Sequence, residues 1–131
     1  MAERLRELGA EPLVYPLIAH APPEDMAAFD AALACLHAGA YSWLIVTSAT
    51  TVEALAARVR LPLPTTVRIA AVGSATAVAC ERLLGRTPDV VPERFQAADL
   101  PAALGNLVSV PVLLPNAEIA DPALELALST A

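Results

Sequence analysis

The chain has 131 residues, the size of one domain or of one domain with part of a second. Fourteen acidic and eight basic residues give a net charge of −6, so nucleic acids and anionic membrane surfaces are unfavourable partners. All eight basic residues are arginine. The absence of lysine excludes a Schiff-base lysine, a P-loop lysine and the active-site lysines of kinases and phospho-receiver domains.

Hydrophobic residues make up 56% of the chain, and the mean hydropathy is +0.57. Proline, glycine or charge nevertheless interrupts every apolar run before it reaches the roughly 20 residues that cross a bilayer. The first twelve residues mix both charge signs and lack the apolar core of a signal peptide. We therefore expect a soluble, cytoplasmic protein whose apolar residues are buried in a parallel sheet covered on both faces.

The periodicity of the apolar residues predicts alternating helices and strands. Helices are predicted at residues 2–9, 24–38, 50–60, 74–85 and 98–106, with a last helix that begins at Asp121. Strands are predicted at residues 12–18, 42–48, 67–73, 89–92 and 111–116. Such alternation with short connections predicts an α/β fold, a three-layer, doubly wound, flavodoxin-like parallel sheet built from βαβ units.

Cys35 and Cys80 both fall in predicted helices of a chain without an export signal, so we expect reduced, buried thiols. Cys35 and His37 are close in sequence, but two candidate ligands do not make a zinc site. We therefore predict no metal. His37 is interpreted as a helix-end residue and His20 as a loop residue, and neither has a catalytic setting.

Candidate binding residues follow the predicted strands, because ligands of doubly wound sheets lie beyond the carboxyl ends of the strands. Segments 47–51, 72–76, 92–96 and 114–119 fall there. They are poor in charge and rich in hydroxyl groups and backbone donors, which suits carboxylates or phosphates. We predict one cleft that is lined by Ser48, Ser74, Thr76, Gln96 and Asn116.

The same residues have structural interpretations that the sequence leaves open. Thr50 and Glu53 fit a capping box, and Ser74 fits an N-cap. Gly73 fits close packing of helix on strand. Phe95 fits a loop hydrophobe under the sheet edge.

Several enzyme classes lack their motifs. The chain has no G-x-G-x-x-G, no G-x-S-x-G, and no Cys–His–acid arrangement that the order of elements would assemble. An enzyme built from these residues would work by shaping and hydrogen-bonding its substrate.

Six segments in succession resemble the uroporphyrinogen-III synthase family. They are LRELGAEPLVYPLI, PPEDMAAFDAAL, YSWLIVTSATTVEAL, RIAAVGSATAVAC, PDVVPERFQAADLPAAL and VPVLLPNAEIADPALELAL. Each motif alone has low specificity, whereas their order and spacing are specific. The resemblance covers nearly the whole chain but only part of the family's usual length.

The resemblance implies one domain of a two-domain family. Residues 1–20 look like a remnant of the first α/β domain and its connector. Residues 21–131 look like the second α/β domain, which is inserted in the first and here lacks its last strand. The expected partners are therefore the missing first domain or a second copy, through self-association of residues 1–20.

The resemblance also implies an activity, the cyclisation of hydroxymethylbilane to uroporphyrinogen III with loss of water and inversion of ring D. This reaction belongs to the biosynthesis of heme, siroheme and cobalamin and uses no cofactor. By motif position, Thr76 is the catalytic candidate. The implied substrate-binding residues are Thr47, Ser48, Thr50, Gly73, Ser74, Ala75, Phe95, Gln96, Asn116 and Glu118.

The chain departs from the family pattern at two positions. Thr50 stands where TS-x-N-A-V has asparagine, and Asn116 stands where Leu-Pro-Arg-Gly-Glu has an arginine that could face substrate carboxylates. We expect this chain alone to be inactive. The alternative is a flavodoxin-like module that binds FMN or another anion through residues 47–51, although aromatic residues to enclose a flavin are scarce, at 4%.

Overall fold

The computed structural model describes residues 26–92, 104 and 110–115. The predicted helices at 2–9 and from Asp121, the predicted strand at 12–18 and the loop residue His20 lie outside this part of the chain. Of the predicted helix at 98–106, Leu104 is described, and it is helical and buried.

The described helices are α1 (Met26–His37), α2 (Ala49–Ala56) and α3 (Ser74–Ala79), and α3 continues into a π-helical turn at Cys80–Leu84. The described strands are β1 (Trp43–Val46), β2 (Arg68–Ala71) and β3 (Val112–Leu113). Helices and strands alternate along residues 26–84 as the sequence predicts, and most elements are shorter at their ends than predicted.

The strands form a parallel sheet in the order β2-β1-β3. Trp43 at the start of β1 pairs with Arg68 on one side and Val112 on the other. The α/β fold with a central parallel sheet is therefore confirmed.

The predicted strand at 89–92 is reduced to a single parallel bridge between Ala70 and Val90. The carboxylate of Asp89 accepts the Ile69 N–H at 2.7 Å and so occupies a position that a backbone carbonyl would take in a longer ladder. The prolines at positions 88 and 92 lack an N–H, and this limits the strand further.

β1 forms the centre of the structure because all four of its residues are buried. Successive side chains point to opposite faces of a strand. Leu44 and Val46 join a core cluster with residues of all three helices, and Trp43 and Ile45 join a second cluster with Leu104. The sheet therefore has apolar side chains packed on both faces, and each buried Leu, Ile or Val stabilises the fold by roughly 1.5–3 kcal/mol.

The end of α1 is a Schellman motif. Gly39 adopts φ 78°, and the N–H groups of Gly39 and Ala40 bond to the carbonyls of Leu36 and Cys35. His37 is the last residue of α1, as predicted.

The prediction of buried thiols is right for Cys80 and wrong for Cys35. Both cysteines are free, and Cys35 is exposed because the core-facing side of α1 carries Leu33 and Leu36. Burial, with a smaller effect of the Glu81 charge, raises the pKa of the Cys80 thiol to about 11. This thiol therefore stays protonated at neutral pH.

Within the part of the chain that the structure describes, none of the helices is long and apolar enough to cross a membrane. No three His, Cys, Asp or Glu side chains among the described residues lie together as a metal site would require.

Candidate functional site

Three backbone segments leave the sheet at the same edge, because the strands are parallel. Residues 47–48 follow β1, residues 72–73 follow β2, and residues 114–115 follow β3. Beyond the Val90 bridge, the Pro92 carbonyl accepts the Gly73 N–H at 3.4 Å. We call this the carboxyl edge, and it is where an α/β sheet offers a ligand its helix N-termini.

Ser48 is the N-cap of α2. Its φ and ψ are −150° and 153°, its Oγ accepts the Thr51 N–H at 3.1 Å, and it lies 2.8 Å from Thr51 Oγ1. The predicted capping box of Thr50 and Glu53 is therefore wrong. The helix begins at Ala49, which places Thr50 within its first turn and leaves Glu53 exposed.

Gly73, not Ser74, is the N-cap of α3, and no side chain caps this helix. Ser74 is the first helical residue and is exposed, and its hydroxyl makes no hydrogen bond to a described residue. The packing role predicted for Gly73 is also wrong, because a Cβ there would meet no described atom within 4 Å. The requirement for glycine comes from the backbone, at φ 81° and ψ 158°.

Thr76 is the one buried polar residue among those described, with 4% of its surface exposed. Its hydroxyl makes no hydrogen bond to any described residue. The first N–H of α3 to bond within the helix is that of Ala77, to the Gly73 carbonyl at 3.1 Å. The first turn of α3 therefore presents backbone donors and a threonine hydroxyl at the carboxyl edge.

Three of the five residues predicted to line one cleft, Ser48, Ser74 and Thr76, follow the paired strands β1 and β2 at this edge. Thr47 and Thr50 are half-buried beside them, and Ala75 is exposed. The other predicted residues lie outside the described part of the chain: Phe95, Gln96, Asn116 and Glu118. Binding roles for all of these residues remain predictions.

A groove of about 350 Å³ runs beside the carboxyl edge, between the start of α2 and the exposed face of α3. Its lining includes Arg82, which the sequence analysis missed. The available signal was the spacing of Ser74, Val78 and Arg82, four residues apart on one helical face that begins at the carboxyl edge.

The described residues define a class of protein: an α/β domain in which hydroxyl groups and a helix N-terminus lie beyond the ends of parallel strands. Residues 1–131 match the family described as uroporphyrinogen-III synthase HemD. The chain belongs to the uroporphyrinogen-III synthase family, which confirms the resemblance of its ordered segments. No curated protein and no solved structure matches the chain.

Proposed function

We propose that this chain serves the family's reaction, the cyclisation of hydroxymethylbilane to uroporphyrinogen III in the cytoplasmic biosynthesis of tetrapyrroles. The family match along residues 1–131 carries the proposal. The family is one of cyclising lyases. We propose that the reaction of this chain uses one bound substrate and no cofactor.

The composition of the carboxyl edge supports an acidic substrate of this kind. The linear tetrapyrrole carries eight carboxylates, and the first turn of α3 offers backbone N–H groups and the hydroxyl of Ser74. Such donors bind carboxylates while leaving the edge poor in charge. The substrate would be held in a bent conformation that favours closure with inversion over spontaneous closure.

Thr76 has the properties of a donor to the departing hydroxyl. In the reaction the carbon–oxygen bond of the terminal hydroxymethyl group breaks, the oxygen takes a proton and leaves as water, and a new carbon–carbon bond closes the ring with release of a proton. A threonine hydroxyl is a hydrogen-bond donor rather than a strong acid. Because the Thr76 hydroxyl makes no hydrogen bond to a described residue, it is free to donate to the leaving oxygen.

A direct test is isothermal titration of the 131-residue chain with uroporphyrinogen III under anaerobic conditions. We expect saturable binding to the unmodified chain and weaker binding to Ser74→Ala, which removes a proposed carboxylate donor. Thr76→Val should bind this product as the unmodified chain does, because the product has lost the hydroxyl to which Thr76 would donate. FMN serves as the control ligand and should give no binding. Tight binding of FMN with no binding of the tetrapyrrole would replace the proposal with the flavodoxin-like alternative. That alternative is less favoured because the Ser48 hydroxyl, in the segment that would bind FMN, is already bonded as the N-cap of α2.

The division into two domains is also a proposal: residues 1–20 belong to a first domain and residues 21–131 to a second. A substrate of this size needs both domains around it, so this chain alone should produce only the type I isomer of spontaneous closure. Supplying freshly generated hydroxymethylbilane and separating the isomers by chromatography measures this. Type III product from the isolated chain would show that one domain suffices.

We further propose that residues 1–20 bind the missing first domain or a second copy of the chain. An apolar strand without a paired neighbour is a template for association. If the chain self-associates through residues 1–20, removing them should lower the mass that light scattering reports from that of a dimer to that of a monomer. An unchanged monomeric mass in both forms would exclude self-association.

A further inference from the structure

Five arginines lie in the described part of the chain, and they differ in whether the guanidinium group has a partner there. Arg58, Arg68 and Arg86 each have one: an aspartate at 2.6 Å, an indole ring at 4.2 Å, and two carbonyl oxygens at 3.1 and 3.2 Å. Arg60 and Arg82 have no hydrogen bond or ion pair to a described residue. These two guanidinium groups are the candidates for binding an anion from outside the described structure.

The surroundings of Arg60 are unfavourable for an anion. Arg60 lines a second cavity, of about 430 Å³, together with Asp30 and Arg58. The Asp30 carboxylate receives two hydrogen bonds from Arg58, and this pairing holds the pKa of Asp30 below its usual range. Arg58 compensates this charge, but a carboxylate still shares the cavity with Arg60 and makes it the less favourable site for an anion.

The surroundings of Arg82 favour an anion with an apolar body. Among the residues that the structure describes, no acidic side chain lines the groove beside α3, and Arg82 is the one charged residue in its lining. Ser74 and Arg82 are eight residues apart along α3 and its π-helical turn, which is at most roughly 12 Å at 1.5 Å per residue. Between them lies Val78, 59% exposed. The rest of the lining is Ala49, Ala75 and Ala79.

This arrangement matches one unit of the proposed substrate. A pyrrole ring is flat and apolar, and it carries carboxylate arms. Alanine side chains allow a ring face to approach closely, Val78 adds apolar contact, and a guanidinium binds a carboxylate through two parallel hydrogen bonds.

We propose that this groove is a subsite for one pyrrole ring of the linear tetrapyrrole, with Arg82 as the counterion of a carboxylate arm. The inference rests on the proposed function and adds to it a residue that orients the substrate relative to Thr76. Arg82 does not touch the reacting atoms in this arrangement. It is a positioning residue and determines specificity for the acidic arms.

The test is anaerobic titration of uroporphyrinogen III into four forms of the full chain: unmodified, Arg82→Gln, Arg82→Lys and Arg60→Gln. Because the groove is open to solvent, we expect Arg82→Gln to weaken binding by about three- to tenfold. Arg82→Lys should restore part of the affinity, and Arg60→Gln should leave it unchanged. With an analogue whose acetate arms are replaced by methyl groups, the effect of Arg82→Gln should shrink if an acetate occupies the groove.

The outcomes separate the two proposals. Absence of tetrapyrrole binding by the unmodified chain would remove the proposed function and this inference with it. Binding that Arg82→Gln leaves unchanged, or that Arg60→Gln weakens equally, overturns the inference alone. Arg82 is exposed and has no described contact partner, so its variants should fold normally, which far-UV circular dichroism can verify.

Discussion

At the amino ends of the strands, two arginine side chains contact groups within the chain, whereas at the carboxyl ends two hydroxyl groups have no hydrogen bond to a described residue. Before and at the start of β2, Arg86 donates to the carbonyls of Pro64 and Val67, and Arg68 stacks on Trp43. At the other end the hydroxyls of Ser74 and Thr76 have no described partner. The carboxyl edge does contain two bonded hydroxyls, those of Ser48 and Thr51.

This difference indicates which residues stabilise the fold and which are available to a ligand. A hydrogen bond made within the chain contributes to stability and is lost when its side chain is removed. A polar side chain without a partner contributes little to stability, so replacing it should affect binding alone. Four sets of variants test which residues stabilise the fold.

The largest expected loss of stability is at the amino side, from Arg86→Met. The variant loses two hydrogen bonds from a charged, half-buried donor, and we expect the free energy of unfolding to fall by about 1.5–3 kcal/mol. Urea denaturation followed by circular dichroism measures this. Arg82→Met is the matched control and should be neutral. Equal effects of the two variants would contradict the comparison.

The next largest loss of stability is expected from Gly73→Ala, at the carboxyl edge. At φ 81° and ψ 158° the backbone is in a region that only glycine adopts readily, so alanine should cost about 1–3 kcal/mol. Gly85→Asn provides the control, since φ 65° and ψ 24° is a left-handed conformation that asparagine tolerates. If Gly73→Ala unfolds at the same urea concentration as the unmodified chain, strain at this position is not the reason for glycine.

Two serines at the same edge form a matched pair. Ser48→Ala removes the cap of α2 and should cost about 1 kcal/mol, whereas Ser74→Ala should change stability very little. The same denaturation assay compares them. A larger loss of stability from Ser74→Ala would indicate that Ser74 is the N-cap of α3, as the sequence predicted.

The smallest expected effect on stability is that of Thr76→Val. The substitution keeps the buried shape and removes a hydroxyl that bonds to no described residue. The free energy of unfolding should therefore change by less than about 0.5 kcal/mol, or the variant should be slightly more stable. A loss of more than about 1 kcal/mol would mean that the hydroxyl has a partner within the chain. Thr76 would then be a structural residue, and its loss could not be used as evidence for catalysis.

Much of the fold could be predicted from the sequence because β1 and β2 are short runs of mostly buried apolar residues. A strand buried on both faces appears in the sequence as a continuous apolar run. The segments before and after each run have apolar residues at helical spacing, so the two kinds of element could be told apart. The exposure of Cys35 was also within reach of the sequence. It lies off the apolar face of α1 that contains Leu33 and Leu36, and the general tendency of cysteine to be buried was the weaker guide.

The N-caps of α2 and α3 could not be predicted, because each depends on where the preceding strand ends. Ser48 and Thr50 are both good caps by residue type, and only the end of β1 at Val46 selects Ser48. The groove that contains Arg82 could not be predicted for a similar reason. Its wall includes Ala49 from another helix, a contact between elements that no local pattern contains.

The position of Trp43 gives the molecule a built-in optical probe. It is the chain's only tryptophan, it begins the central strand, and 4% of its surface is exposed. An indole in such apolar surroundings emits at shorter wavelength than one in water, so a single emission band reports whether the centre of the sheet is assembled. The Arg68 guanidinium lies 4.2 Å from the ring centroid, so Arg68→Gln should alter that emission while the sheet stays intact.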